Sequence, residues 1–257
     1  MKTKIIFSTK KTMNYELTKI CTDKITEYLE IDNISEIFDA ADYIAIFGGA
    51  VRDSLANKEI HDVDIMCLPD ASLKLSKYLR KIGFKKVDLY DLHQLAMYKE
   101  IHVISEPWTF IRGGKIIQII KPATGQSLGT LIDGYYSLID GYYSLLSDVD
   151  ISACGVFLEK DRDSIIKLKE SHENAITHCR SAVFETLPNN RMYGEYRTDM
   201  RQHKLQVRNW INLNIKEDIK DVKIERRMKL HGLQKPEYNY KSYRRSKQTT
   251  KMILDPW

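Results

Sequence analysis

Asp62 and Asp64 stand two residues apart in the segment His61-Asp-Val-Asp-Ile-Met-Cys67, in which Val63, Ile65 and Cys67 alternate with them. As a strand, that pattern buries one face and projects both carboxylates from the other. Paired carboxylates on a rigid strand can hold two divalent ions, and two such ions can activate an attacking hydroxyl and stabilise a leaving pyrophosphate. Upstream lies Phe47-Gly-Gly-Ala-Val-Arg-Asp53, separated from Asp62 by eight residues. Gly48 and Gly49 let the backbone pass close to another group, and free N–H donors at a helix start favour phosphate. Arg52 offers a planar fork that either grips a triphosphate or ties Asp53 into the turn. A Gly-Gly turn or an Asp-x-Asp alone is common; the two in this order on strand, turn, helix and strand are far more specific.

The elements that must carry these residues are readable from periodicity. Leu17, Ile20, Ile25 and Leu29 predict an amphipathic helix over residues 15–29, and a short helix covers 34–41. Tyr43-Ile-Ala-Ile-Phe47 predicts a buried strand, 50–56 a short helix, and 61–68 a second strand. Asp70 or Ser72 is expected to cap a helix that Gly83 stops after Ile82. Residues 87–90, 102–111 and 115–120 read as strands, the last two joined at Gly113-Gly114 as a hairpin. Residues 151–158 read as a strand, 164–183 as a helix and 191–215 as a helix, with a break at Pro188-Asn-Asn190. Alternation of this kind favours an α/β (α+β) domain over a bundle.

The chain of 257 residues is 43% hydrophobic and 29% charged, enough for a sizeable core. The net charge of +5 is uneven: residues 223–257 carry +7, which leaves the first 222 at −2. Within that tail Tyr238, Tyr240 and Tyr243 mix with Lys241, Arg244, Arg245 and Lys247. This mixture suits either phosphate attraction with base stacking or a solvated end. Leu131-Ile-Asp-Gly-Tyr-Tyr-Ser137 recurs unchanged as residues 138–144, a short duplication and not a solenoid. Cys21, Cys67, Cys154 and Cys179 are scattered, as buried reduced thiols are. Neither a membrane-spanning run nor a secretory leader is visible, so the expected location is the cytoplasm.

The string Gly-Gly-Ala-Val-Arg-Asp53 followed by His-Asp-Val-Asp-Ile-Met66 resembles the signature of tRNA nucleotidyltransferases and bacterial poly(A) polymerases, a branch of the DNA polymerase β superfamily. The resemblance covers residues 43–68. It implies a polymerase β-like domain with a mixed sheet over residues 1–160. A helical region over 161–222 would complete the nucleotide cleft, and 223–257 would form a basic tail. It further implies two magnesium ions on Asp62 and Asp64, a triphosphate held at Gly48 and Gly49, and Arg52 and Asp53 shaping that site. Asp150-Ile-Ser-Ala-Cys154 resembles a second element of that family, in which the aspartate positions the incoming nucleotide. Asp148 and Val149 stand where that element has two arginines. The family's further acidic residue falls on the strand Lys115–Ile120, which offers the carboxamide of Gln118. Either the Asp pair suffices, or Asp148 or Asp150 joins it, or catalysis is impaired. The activity implied is transfer of a nucleoside monophosphate from an NTP or dNTP to an acceptor hydroxyl, with an RNA or tRNA 3′ end as acceptor. The alternatives are a template-independent polymerase or protein-modifying nucleotidyltransferase of a phage, anti-phage defence or toxin system, and an inactive nucleotide- or RNA-binding module. Arg191, Arg197 and Arg201, near tyrosines, either line the cleft or form a solvated helix face.

Overall fold

The structure, a computed structural model, describes residues 3–87, 104–122, 146, 149–161, 163–187 and 195–214. All of these fall within the unit Met1–Ile219. The Leu131–Ser144 repeat, Asp148, Arg191 and the basic tail lie outside the described residues.

Helix α1, Thr3–Leu29, begins well before the predicted start. Its buried stripe is Leu17, Cys21, Ile25 and Leu29, each four residues from the last, whereas Ile20 is 42% exposed. Leu17, Ile25 and Leu29 face the core as expected, and Cys21 takes the place expected of Ile20: spacing of four keeps the small thiol on the core side and turns Ile20 outward. Helix α2, Ser35–Asp39, buries Ile37 and Phe38. Strand β1, Ile44–Phe47, leads into α3, Gly49–Leu55, and then β2, Val63–Cys67. Helix α4, Pro69–Lys81, starts earlier than either predicted cap. Pro69 needs no N–H at the first helical position, and Ser72 Oγ instead donates back to the Pro69 carbonyl at 2.5 Å.

Strands β3, Lys85–Val87, β4, Ile104–Arg112, and β5, Lys115–Pro122, follow, with Gly113 and Gly114 at φ +52° and +81° turning β4 into β5. Residues 151–158 are not one strand. Ile151 bridges Thr186, Ser152–Cys154 form a 3-10 turn, and β6 runs from Val156 to Lys160. The predicted helix over 164–183 is also replaced, by β7, Ile166–Glu170, and the short α5, Ala175–Ser181. Ile166 and Leu168 alternate with Lys167 and Lys169, a period of two that the neighbouring β6 recruits into a hairpin. Asp161 shapes that turn by accepting the amides of Asp163 and Ile165 at 3.0 and 2.9 Å. Strand β8, Val183–Phe184, pairs with β9, Ile211–Asn212, beyond α6, Glu195–Val207. The helix predicted over 191–215 thus ends at Val207, and Asn209 at φ +60° turns the chain toward β9.

Seven strands form one sheet in the order β3-β4-β5-β2-β1-β6-β7. Only β2 and β5 run parallel among its neighbouring pairs. The sheet is mixed, as an α+β reading expects. Ile46, Ile65, Phe110 and Ile119 are fully buried on it, with Leu75 and Leu79 of α4. Among the described residues no helix is long and apolar enough to cross a membrane.

Candidate functional site

The last residue of β1 fixes the site. Phe47 pairs with Asp64 on one side and with Phe157 on the other, and Asp64 pairs in parallel register with Gln118, which pairs with Thr109. Laterally paired residues share a sheet face. Asp64 therefore shares its face with Gln118 and Thr109 on the neighbouring strands. Asp62 lies just before β2 and not on it.

Gly48 turns the chain from β1 into α3 with φ +67° and ψ −127°, a conformation open in practice only to glycine. A Cβ built on Gly48 would lie 3.7 Å from Asp64 Oδ2. One on Gly49 would lie 3.6 Å from Asp62 Oδ1 and 3.7 Å from Arg52 Nη2. The two glycines thus bring bare backbone against both carboxylates. Replacing Gly48 by alanine should destabilise the protein by about 1–3 kcal/mol through the strained φ alone, read as a lower urea midpoint.

Asp64 Oδ1 is buried and accepts no hydrogen bond. Burial, reinforced by repulsion from Asp62, pushes the Asp64 carboxyl up to about 7, although Lys204, Arg201 and Arg52 draw it down. An orphaned oxygen beside a second carboxylate fits a hard divalent cation such as magnesium, which prefers oxygen donors. Gln118 can add an oxygen ligand but no charge. Among the described residues no group of three or more His, Cys, Asp or Glu side chains is placed to hold a metal.

The raised carboxyl has a sign that can be measured. Unfolded, Asp64 titrates near its ordinary value of 3.8, whereas folded it holds its proton up to about 7. The stability it lends is full below the unfolded value and is lost as pH rises through the folded one. Asp64→Asn, which cannot ionise, should stabilise the metal-free protein. The gain should grow by on the order of 2 kcal/mol between pH 5 and pH 8, visible as a widening difference in Tm in the presence of chelator.

Arg52 and Asp53 form a buried bidentate pair, Nε to Oδ1 at 2.9 Å and Nη2 to Oδ2 at 2.8 Å. Arg52 Nη1 also donates to Cys154 Sγ at 3.6 Å, and its guanidinium stands 5.4 Å from the Trp210 ring centre. Arg208 approaches Asp53 Oδ2 at 3.5 Å, and the Lys58 amide donates to the Asp53 carbonyl at 2.8 Å. Of the two roles open to Arg52, the geometry displays the tie to Asp53. Asp150 is fully buried, and its carboxylate accepts Thr198 Oγ1 at 3.1 Å and Arg201 Nη1 at 2.8 Å.

Sequence reasoning named Arg201 but missed Thr198, Lys204, Arg208 and Trp210 as neighbours of the site. The spacing of three that links Thr198, Arg201 and Lys204 on a predicted helix was a usable signal.

No family model and no curated protein sequence matches this chain. Solved structures do. A CCA-adding enzyme in complex with CTP superposes at a TM-score of 0.50 with 15% identity, over 84% of this chain and 46% of that one. The complex of CCA-adding enzyme with ATP gives 0.45 and 15%, over 76% and 40%. The Thermotoga maritima CCA-adding enzyme complexed with tRNA also gives 0.45 and 15%, over 76% and 41%. This chain spans less than half the length of these proteins. Over the matched region this chain shares the fold of the CCA-adding enzyme in complex with CTP.

Proposed function

We propose that this chain is a metal-dependent nucleotidyltransferase that moves a nucleoside monophosphate from an NTP or dNTP to an acceptor hydroxyl, an RNA 3′ end in the first instance. The observation that carries this reading is the carboxylate pair Asp62 and Asp64, with an orphaned buried oxygen, set against the Gly48-Gly49 turn on this fold. Asp62 and Asp64 would hold magnesium, with Gln118 as a neutral oxygen ligand beside them. Held there, magnesium would lower the pKa of the acceptor hydroxyl, whose proton passes to solvent, and would balance charge on the leaving pyrophosphate. The acceptor oxygen forms a bond to the α-phosphorus as the bond from that phosphorus to the bridging α–β oxygen breaks. Gly48 and Gly49 leave room for the phosphates beside the carboxylates. Arg52 and Asp53 hold the turn in place by their mutual pairing. The acceptor class is suggested by the structural neighbours, one of which is complexed with tRNA. The stretch from residue 161 onward would complete the cleft through α6, and the basic tail would contact the acceptor.

Purified protein incubated with magnesium and each labelled NTP and dNTP, with and without total tRNA, tests the reading. Label in RNA with release of pyrophosphate supports it, and label in the protein itself moves the acceptor from RNA to protein. The neutral Gln118, paired with Asp64 on the neighbouring strand, favours a second reading, a nucleotide-binding module without activity. Folded protein that binds nucleotide but releases no pyrophosphate would establish that second reading.

A further inference from the structure

We propose that α6 supplies the cations for the polyphosphate tail of the nucleotide, with Arg201 and Lys204 touching it and Asp150 acting through Arg201 as a positioning residue. This rests on the reading of the site as a nucleotidyltransferase centre and assigns residues that the sequence motifs do not.

Asp150 is 0% exposed, and a buried carboxylate is tolerable only when paired. Its partners are Thr198 and Arg201, three residues apart, at 3.1 and 2.8 Å. Lys204 continues the same row by three more residues, one turn further along α6, and is exposed. A buried carboxylate bonded to Thr198 and Arg201 fixes the rotation of the helix, and so fixes where Arg201 and Lys204 project.

The chain then connects this anchor to the carboxylate pair. Ile151 follows Asp150 directly and bridges Thr186, and the Leu187 amide donates to the Asp150 carbonyl at 2.9 Å. The 3-10 turn Ser152–Cys154 leads into β6, whose first carbonyl, that of Val156, accepts the Gly48 amide at 3.3 Å. Asp150 therefore sits at the end of the sheet that carries Gly48 and Asp64. Just beyond α6, Arg208 approaches Asp53 Oδ2 at 3.5 Å, its carbonyl accepts Lys58 Nζ at 2.6 Å, and Trp210 lies 5.4 Å from the Arg52 guanidinium, so the end of this helix is tied to α3 and the Gly48 turn. Arg201 is oriented by Asp150 and keeps its side chain 35% exposed. Two cations on one helical row beside a carboxylate pair match a polyphosphate, which brings its own negative charge to that place.

The test measures binding of ATP, CTP, GTP and UTP against their monophosphates by equilibrium dialysis with the full chain, with calcium replacing magnesium. Lys204→Met, at an exposed position that leaves the fold intact, should weaken triphosphate binding about tenfold and leave monophosphate binding unchanged. Arg201→Ala should do the same to a greater extent, with Arg201→Lys recovering part of the loss. Asp150→Asn should reproduce the Arg201→Ala loss, and combining the two should add little. Equal losses for triphosphates and monophosphates, or no change in Lys204→Met, would overturn the inference while leaving the nucleotidyltransferase reading standing. Wild type that binds no nucleotide and transfers none would sink both.

Discussion

Asp62→Ala and Asp64→Ala each lower nucleotide transfer by on the order of a thousandfold or more in the expected experiment. A metal-held transition state draws several kcal/mol from the ions, and each 1.36 kcal/mol is a factor of ten in rate. Asp62 and Asp64 both stand against the Gly48-Gly49 turn, and the residue paired with Asp64 on the neighbouring strand, Gln118, is neutral. For Asp64 the expected loss is one of chemistry and not of folding, since its removal relieves a carboxyl that burial and Asp62 both penalise. Circular dichroism and Tm in chelator should therefore show an Asp64 variant as stable as the wild type or more so. Transfer within tenfold of wild type in either variant would remove the pair from the chemistry.

Asp53→Ala is expected to cost about 3–5 kcal/mol of stability, measured by urea denaturation at low temperature. Asp53 is 2% exposed and Arg52 7%, so the variant leaves a buried guanidinium with Cys154 Sγ and the face of Trp210 as its described contacts. Arg208 loses its acceptor in the same step. Since a domain of this size has only about 5–15 kcal/mol to lose, the variant should express poorly at 37 °C. The paired replacement Arg52→Met with Asp53→Leu should cost less than Asp53→Ala alone, because it removes both charges together. A single-variant loss below about 1 kcal/mol would mean that Arg52 finds another anion, and the tie would then not be what holds the turn.

Much of the site was legible because its chemistry is local. Gly48, Gly49, Asp62 and Asp64 lie within seventeen residues of one another, and strand, turn and helix could be read from apolar runs and glycines. The contact between Gly49 and Asp62 follows from that connectivity alone. What was not legible depends on pairing across the sheet. Residues 166–170 alternate in a way that tolerates either helix or strand, and only β6 decides it. Ile151–Cys154 looked like the start of a strand, yet the bridge to Thr186 pulls it into a tight turn. The helix cap at Asp70 or Ser72 was misplaced because Pro69 can itself occupy the first helical position. Asp150 was aligned by its place in a motif, and a motif does not say that its oxygens are already taken by Thr198 and Arg201.

Strand β1 has a consequence for how the chain is made. It lies between β2 and β6, so one of its edges is satisfied within about twenty residues while the other waits for Val156–Lys160. During synthesis, Ile44-Ala-Ile-Phe47 therefore emerges as an apolar ribbon with one row of amides and carbonyls bare for more than a hundred residues of translation. The Gly48 amide, which ends on the Val156 carbonyl, is among the groups left waiting. Closing that edge joins a loop of more than a hundred residues, a slow step because the entropy of loop closure is met before the pairing rewards it. The carboxylates are thus present early in the nascent chain and arranged late, and a chain cut before β6 has an adhesive edge where the complete one has a strand paired on both sides.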